Sequence, residues 1–418
     1  MINRPKGTYD IVGDIVPYWH HFEQVARDAA RIFGFEEIRT PILERTELFQ
    51  RSVGDDTDIV QKEMYTFDDK GGRSMTMRPE GTAAVIRAFL ENRLTGEGLP
   101  QKLFYMGPMF RYERPQVGRF RQFHQFGVEL IGSASAKSDA EVIWQSKYLL
   151  EKLNLNNSTV HLNHLGCQDD RERYKEALKE YYGDKRDQLC EDCQRRYETN
   201  VLRLLDCKKD LEFKKNAPVI TDYLCDDCAS KYAELKKELD ELSIEYFENP
   251  FLVRGLDYYT GMVFEVKYPY KETVFDVLGG GRYDGVVAEL GGKETPAVGY
   301  ACGIERLLSI MQEEDVAINR KPLSEVYVLG MCEAADPYIT KIVKFLRRKK
   351  VSVERDIMGR GLKAQMKYAS KIGARFTIII GENEISNGVY VVKDMETGQQ
   401  TNVESSWIEN YILDRLEE

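Results

Sequence analysis

The chain has 418 residues, 42% of them hydrophobic, and a formal net charge of −10. That length exceeds what one hydrophobic core organises and predicts two or three domains, while the acidic balance speaks against a sequence-independent nucleic-acid coat but not against a nucleic-acid partner met by local basic patches. No run of about eighteen apolar residues reads as a membrane span, and the start, MINRPKGTYDIV, carries no apolar signal region, so a cytoplasmic location is expected.

Residues from about Tyr18 to Phe33 have amphipathic helical spacing, and Gly34 stops that helix. FEEIRTPILER predicts a strand ending at Pro41, because proline suits neither a helix interior nor a sheet ladder. SMTMRPEGTAAVIRAFLEN begins as a strand, turns at Pro79 and Gly81, and enters a helix at Thr82. Residues 103–131 predict two antiparallel strands joined by a long Arg-rich loop. In the second strand Phe126, Val128 and Leu130 share an oily face, and Gln125, Gly127 and Glu129 share the other. The glycine between an amide and a carboxylate suggests room for a small ligand to approach the backbone.

From about Gln168 to Ser243 the texture changes to charged, helically spaced sequence with two CxxC pairs, as in a separate helical insertion. Strand-like sequence returns with FLVRGLDYYTGMVFEV, then DVLGGGRYDGVV, then VGYACGIERLLSIM. The last places Ile304, Leu307, Leu308 and Met311 on one helical stripe, so Arg306 leaves that stripe. After NRKPLSE, strand and helix alternate to the end, which predicts an α/β domain with a partly parallel sheet from about residue 325.

The glycines do not make a phosphate cradle. In GGGRYDG, Asp284 stands where a dinucleotide fingerprint needs its last glycine, and in GGKET, Glu294 stands where a P-loop needs Ser or Thr. A nucleotide here would have to be gripped by arginines, whose planar guanidinium holds two phosphate oxygens at once. Arg111, Arg114, Arg119 and Arg121 flank a loop able to wrap a triphosphate, with Phe123 available to stack on a purine. An isolated cluster of this kind is more simply a solvated, salt-bridged hairpin. Arg254 in RGLDYYTG and Arg306 in GIER tip the balance, since neither is explained by helix charge pairing or by core packing.

With those residues in view, FRYERPQVGRFRQFHQFGVE resembles motif 2 of the class II aminoacyl-tRNA synthetases, GYACGIERLLSIM resembles motif 3, and GFEEIRTPILE resembles motif 1, with Pro41 in the motif's proline position. RGLDYYTGMVFEV and GGGRYDGV resemble the two histidine-specific signatures of the histidyl-tRNA synthetases. The resemblance runs from RPKGTYDI to the C-terminus. It implies an α+β catalytic domain built on an antiparallel sheet, in parts 1–165 (motifs 1 and 2) and 246–320 (histidine signatures and motif 3). A helical insertion at 166–245 and an α/β anticodon-binding domain at 325–418 complete the implied organisation.

The resemblance also implies a chemistry: activation of L-histidine by ATP to histidyl-adenylate and pyrophosphate, then transfer to the 3′ end of tRNA(His), with Mg2+ on the phosphates. Arg111 and Arg254 would be the catalytic cations. Arg111 would grip the α-phosphate and the substrate carboxylate, and Arg254 would face it. Arg306 and Phe123 would sandwich the adenine, Glu113 would read its amino group, and Arg119 would hold the terminal phosphates. Glu80, Thr82 and Gln125 would hold the α-ammonium group, with Gly81 also in the histidine site, and Glu129 and Tyr259 would take the two imidazole nitrogens. Tyr258 and Tyr283 would line the pocket, although for Tyr283 strand packing explains its position nearly as well. Two fixed partners on the two nitrogens are what selects an imidazole ring.

Arg114 and Gln116 would meet the tRNA acceptor end, and Arg355, Arg360, Lys363 and Gln365 are candidates on the anticodon side. A homodimer is expected from motif 1. Cys190, Cys193, Cys225 and Cys228 together read as a structural zinc site, since tetrahedral zinc takes four thiolates and each CxxC supplies two. The plainer alternative is two reduced thiol pairs. His124, His161 and His164 read as structural. The nearest rival is the inactive regulatory paralogue that serves ATP phosphoribosyltransferase; it typically lacks the α/β tail and intact versions of the Arg254 and Arg306 motifs, which this chain keeps. An interaction module built on an inactive synthetase would show a damaged nucleotide site, and none is visible.

Overall fold

The computed structural model describes residues 2–54, 57–116, 118–318 and 322–417. Outside them lie Met1, Asp55, Asp56, Val117, residues 319–321 and Glu418, and with them one position of the Arg-rich loop and the start of the junction NRKPLSE. The chain forms two compact units, Met1–Ile318 and Asn319–Glu418.

In the larger unit the strands are β1 (Glu36–Glu37), β2 (Leu43–Arg45), β3 (Tyr65–Asp68), β4 (Ser74–Met77), β5 (Gln101–Phe110), β6 (Gln122–Ile131), β7 (Thr159–His164), β8 (Tyr246–Glu248), β9 (Thr260–Tyr270), β10 (Thr273–Arg282) and β11 (Ala297–Gly303). Eight of them make one sheet in the order β1-β5-β6-β11-β10-β9-β7-β8. The sheet is antiparallel except at its two margins, where β1 runs parallel to β5 and β8 to β7. A small sheet, β2-β4-β3, stands apart. The strand expected to run to Pro41 is only Glu36–Glu37 and stops four positions short of it, and the chain resumes as β2 in the other sheet.

One face of the large sheet is apolar. Phe126, Val128 and Leu130 of β6, Val298, Tyr300 and Cys302 of β11, and Phe264 and Val266 of β9 are all buried in one core. That core includes side chains of the helices Val16–Ile32, Ala136–Lys152 and Ile304–Glu313, among them Trp19, Phe22, Ile143, Leu307 and Met311. The alternation read from β6 is thus the sheet's own two-sidedness.

The other face is floored by small residues. On β11, Gly299, Ala301 and Gly303 stand opposite Glu129, Gly127 and Gln125 of β6. On β10, Gly279 and Gly281 stand opposite Ala301 and Gly299. A stretch of sheet without side chains is a hollow, and the site is built over it.

The insertion has a cluster of its own, with Tyr174, Leu178, Tyr182, Leu189, Leu204 and Ile220 buried together. Its last helix, Asp226–Glu241, instead sends Tyr232, Leu235 and Leu239 into the main core. FLVRGLDYYTGMVFEV is strand only from Thr260; residues 251–259 form a loop after Pro250.

The smaller unit contains β12 (Val326–Gly330), β13 (Val353–Arg355), β14 (Phe376–Ile380), β15 (Val389–Asp394) and β16 (Gln400–Glu404) in the order β13-β12-β14-β15-β16. The pairs of β12 with β13 and β14 are parallel, and the β14-β15 and β15-β16 pairs are antiparallel. The partly parallel sheet is as expected; β16 was not foreseen.

Candidate active site

A cavity of about 430 Å³ opens on the small-residue face of the large sheet. Arg111, Arg254 and Arg306, separated by up to 195 positions in sequence (306 − 111), all line it. So do Glu80, Thr82, Glu113, Arg119, Phe123, Gln125, Tyr258, Tyr259 and Tyr283. Different elements deliver them. Arg111 follows β5, Phe123 and Gln125 come from β6, the tyrosine pair Tyr258–Tyr259 precedes β9, and Arg306 projects from the helix Ile304–Glu313.

Each guanidinium is tethered. Arg111 donates from Nε to the Pro79 carbonyl at 2.8 Å, stands 3.8 Å from Glu113, and lies over the Phe123 ring at 5.3 Å. Arg119 reaches the other Glu113 oxygen at 3.6 Å. Arg306 donates to the Asp276 carbonyl at 2.6 Å and lies 5.7 Å from the Phe275 ring. Burial, with Arg119 nearby, lowers the pKa of Arg306, so its charge is held in a site short of counter-charge. Arg254 is paired with Glu265. Burial works against its charge, and Glu265 together with Tyr259 more than restores it. Gly279 lies directly beneath the Arg254 guanidinium, where any Cβ would collide.

Glu129 does not line the cavity; it lies behind Thr82 and Tyr283, which do, in a buried carboxyl network. Glu129, 1% exposed, accepts from Thr82 Oγ1 at 2.7 Å and from the Tyr283 hydroxyl. Burial pushes the Glu129 carboxyl up to about 8, against these two hydrogen bonds, with Glu80 adding repulsion. Gly299 is required opposite Glu129, because a side chain there would occupy the carboxylate's place. Glu80 receives the N–H groups of Thr82 at 2.7 Å and Ala83 at 2.8 Å, so it caps the helix Thr82–Glu91 and faces the cavity at once. Gln125 lines the cavity, and its Oε1 is buried without a hydrogen-bond partner among the described residues. Tyr258 and Tyr259 pack at 4.6 Å between ring centres, with Tyr283 5.5 Å from Tyr258.

Several expectations change. The space at Gly127 is filled by the Tyr105 ring, which crosses from the facing position on β5, so this glycine admits a side chain rather than a ligand. Arg121 does not line the cavity. It stacks on Tyr112 at 3.8 Å, donates to the Glu113 carbonyl at 3.3 Å and is packed by Gly7. Arg114 and Gln116 are exposed on the loop and do not line the cavity. Gln365 is buried and donates to the carbonyls of Gly330 and Arg360, so it braces its own domain. Arg355 and Arg360 are engaged by Thr340 and Asp356. His124 is satisfied by Glu305 at 2.9 Å, and buried His164 accepts from the Gly166 N–H at 3.1 Å, as their structural reading expects.

The four CxxC cysteines do not meet. Cys190 and Cys193 cluster with Cys207 and Asp210, whereas Cys225 and Cys228 cluster with Cys167 and Asp170. CxxC spacing identifies pairs, but the partner of each pair is fixed by folding. Residues that spacing did not reveal include Glu265, Asp276 and Glu63 in the cavity wall, and Arg203 and Lys208 from the insertion.

A family model described as Histidyl-tRNA synthetase matches residues 14–307, and one described as Anticodon binding domain matches residues 324–415. A curated relative from Thermosipho melanesiensis, named histidine–tRNA ligase, is 52% identical across 98% of this chain and 97% of its own length. Another of that name, from Thermotoga maritima, is 51% identical across 99% and 98%. Among solved structures, apo S. aureus histidyl-tRNA synthetase aligns with a TM-score of 0.84 and 37% identity, covering 98% of this chain and 99% of that one. A protein described as an ATP phosphoribosyltransferase regulatory subunit/histidyl-tRNA synthetase, from Bacillus halodurans C, shares the fold at a TM-score of 0.67 and 21% identity, covering 91% and 98%.

Proposed function

This chain belongs to the histidyl-tRNA synthetase family, and from that premise we propose that it is a histidine–tRNA ligase whose two reactions run in the cavity over the sheet. The observation that carries this reading is the convergence of Arg111, Arg254 and Arg306 in one cavity beside the buried Glu129–Thr82–Tyr283 network.

In the first step a histidine carboxylate oxygen attacks the α-phosphorus of ATP. A new P–O bond forms, the bond to the bridging oxygen breaks, and pyrophosphate leaves with that electron pair. Charge moves across the phosphoryl group without a covalent enzyme intermediate, so fixed cations do most of the work. Arg111, tethered to Pro79 O, takes the α-phosphate and the substrate carboxylate, and Arg254, held by Glu265, faces it. Arg306 and Phe123 bracket the adenine, Glu113 reads its amino group, and Arg119 takes the terminal phosphates. Magnesium enters with the triphosphate as part of the substrate. Glu63, a half-buried carboxyl in the cavity wall, has the oxygen-donor chemistry a hard cation would take.

Glu129 and Tyr259 take the imidazole nitrogens, and Glu80, Thr82 and Gln125 the α-ammonium group. A buried carboxyl with a raised pKa rewards a ligand that brings a donor and penalises one that does not. In the second step the 3′-hydroxyl of the terminal adenosine attacks the carbonyl carbon, and AMP leaves. Arg114 and Gln116 lie exposed on the loop that would meet the acceptor end, with Arg203 and Lys208 at the cavity. The residues 325–418 then serve the anticodon.

The functional unit is a cytoplasmic homodimer. Ile42, Leu43 and Phe67, exposed at 41–45% in and beside the small sheet, supply apolar surface for a two-fold contact near motif 1. Charging of tRNA(His) with labelled histidine tests the function. Formation of an ester-linked, alkali-labile product is expected; a chain that makes adenylate but never charges this tRNA contradicts the second step.

A further inference from the structure

We propose that the insertion carries two separate zinc sites, each of three thiolates and one carboxylate: Cys167, Asp170, Cys225 and Cys228 in one, and Cys190, Cys193, Cys207 and Asp210 in the other. In each group one ligand atom from every residue lies within 4.8 Å of all the others. Tetrahedral zinc with Zn–S near 2.3 Å and Zn–O near 2.0 Å sets sulfurs about 3.8 Å apart and a sulfur about 3.5 Å from an oxygen. Cys190 Sγ and Cys207 Sγ are 3.8 Å apart, and Cys207 Sγ is 3.6 Å from Asp210 Oδ2. Two edges of this second group thus match those of a zinc tetrahedron.

Helix ends and outer hydrogen bonds surround both groups. Cys167, Cys190 and Cys225 are the N-cap residues of the helices Gln168–Gly183, Glu191–Thr199 and Asp226–Glu241, so three thiols sit at positive helix ends. Cys207 Sγ accepts the Lys209 N–H at 3.3 Å. The carboxylates are oriented from behind. Asp170 takes the N–H groups of Cys225 at 3.0 Å and Cys167 at 3.2 Å, and Arg173 at 2.7 Å; Asp210 takes the N–H of Cys190 at 3.2 Å. Such outer partners fix ligand geometry in metal sites.

The two sites have different placements. The first ties the start of the insertion to the start of its last helix, the one that packs into the main core. The second lies within the insertion's own cluster, and Cys207 directly precedes Lys208, which with Arg203 lines the catalytic cavity. Hydrogen-bonded thiols without metal are the competing account, and they predict no stoichiometric zinc.

The test is zinc content of the full chain, purified without a chelator or a metal-affinity tag, with X-ray absorption at the zinc edge. About two zinc ions per chain are expected, with a mean shell of about three sulfurs and one oxygen. Cys167→Ser and Cys207→Ser should each lose about one equivalent, independently, while Cys332→Ser keeps both. Absence of stoichiometric zinc overturns the proposal. So does a single equivalent, or an all-sulfur shell in the unmodified chain, a measurement that stands even where a variant fails to fold. Metal counting is independent of histidine activation, so either reading can fail alone.

Discussion

Arg254→Ala removes the cation proposed to act on transient charge, but it also strands Glu265. The side chains are 20% and 15% exposed, so this is a mostly buried pair, and breaking one by deleting a partner costs about 3–5 kcal/mol. Burial already pushes the Glu265 carboxyl up while Arg254 opposes it, so the stranded acid is expected to take up a proton and recover part of that cost. Loss of a preorganised group facing developing charge costs about 3–4 kcal/mol in the barrier, or roughly 10²–10³ in rate. The double variant Arg254→Ala/Glu265→Gln separates the two effects, because it removes the stranded carboxylate as well. Histidine-dependent ATP–pyrophosphate exchange at saturating substrates, run beside thermal unfolding, is the assay. Both variants should lose about two to three orders of magnitude in exchange, and only the single variant should lose much stability. If the double variant exchanges at close to the parent rate, Arg254 merely neutralises Glu265 and its catalytic role is refuted.

Tyr283→Phe removes one of the two donors to Glu129 and should raise the KM for histidine by about 2- to 13-fold, the equivalent of one ordinary hydrogen bond of about 0.5–1.5 kcal/mol, with the KM for ATP little changed. An equal rise in both would place Tyr283 in the fold rather than in histidine recognition. Gly299→Ala puts a methyl where the Glu129 carboxylate sits, which should cost about 1–3 kcal/mol in unfolding free energy and most of the histidine-dependent exchange. Wild-type exchange in that variant would mean that the carboxylate can move freely. The Glu129 carboxyl is raised above its unfolded value, so the ligand-free fold binds more protons than the unfolded chain between about pH 4.5 and 8. Its contribution is full below that window and is lost as pH rises through about 8, by up to 1.4 kcal/mol per pH unit. Glu129→Gln should flatten that slope in urea unfolding measured across the window; an unchanged slope would assign it to other groups.

Much of this was legible from local pattern. Period-two alternation placed Phe126, Val128 and Leu130 in the core and Gln125 and Glu129 on the opposite face, and helical spacing released Arg306 from the stripe of Ile304, Leu307, Leu308 and Met311. What pattern could not supply is what arrives from elsewhere in the chain. Gly127 reads as open space until the β5 register sets Tyr105 across it. Arg121 is two positions from Arg119 in the same Arg-rich segment, yet it stacks on Tyr112 while Arg119 lines the cavity, a difference no local pattern signals. Glu265 and Arg254 are eleven positions apart on no shared periodic element, so their pairing is a product of the loop 251–259 folding back on β9. The cysteines show the same limit, since Cys167 and Cys207 carry no CxxC signature and join their pairs only in three dimensions.

The central claim is that guanidinium groups from three segments serve a nucleotide beside a pocket cut for imidazole. ATP–pyrophosphate exchange measured with each of the twenty amino acids tests it most directly. Exchange with histidine far above every other amino acid is the predicted result; no exchange with any of them, or equal exchange with several, would contradict it.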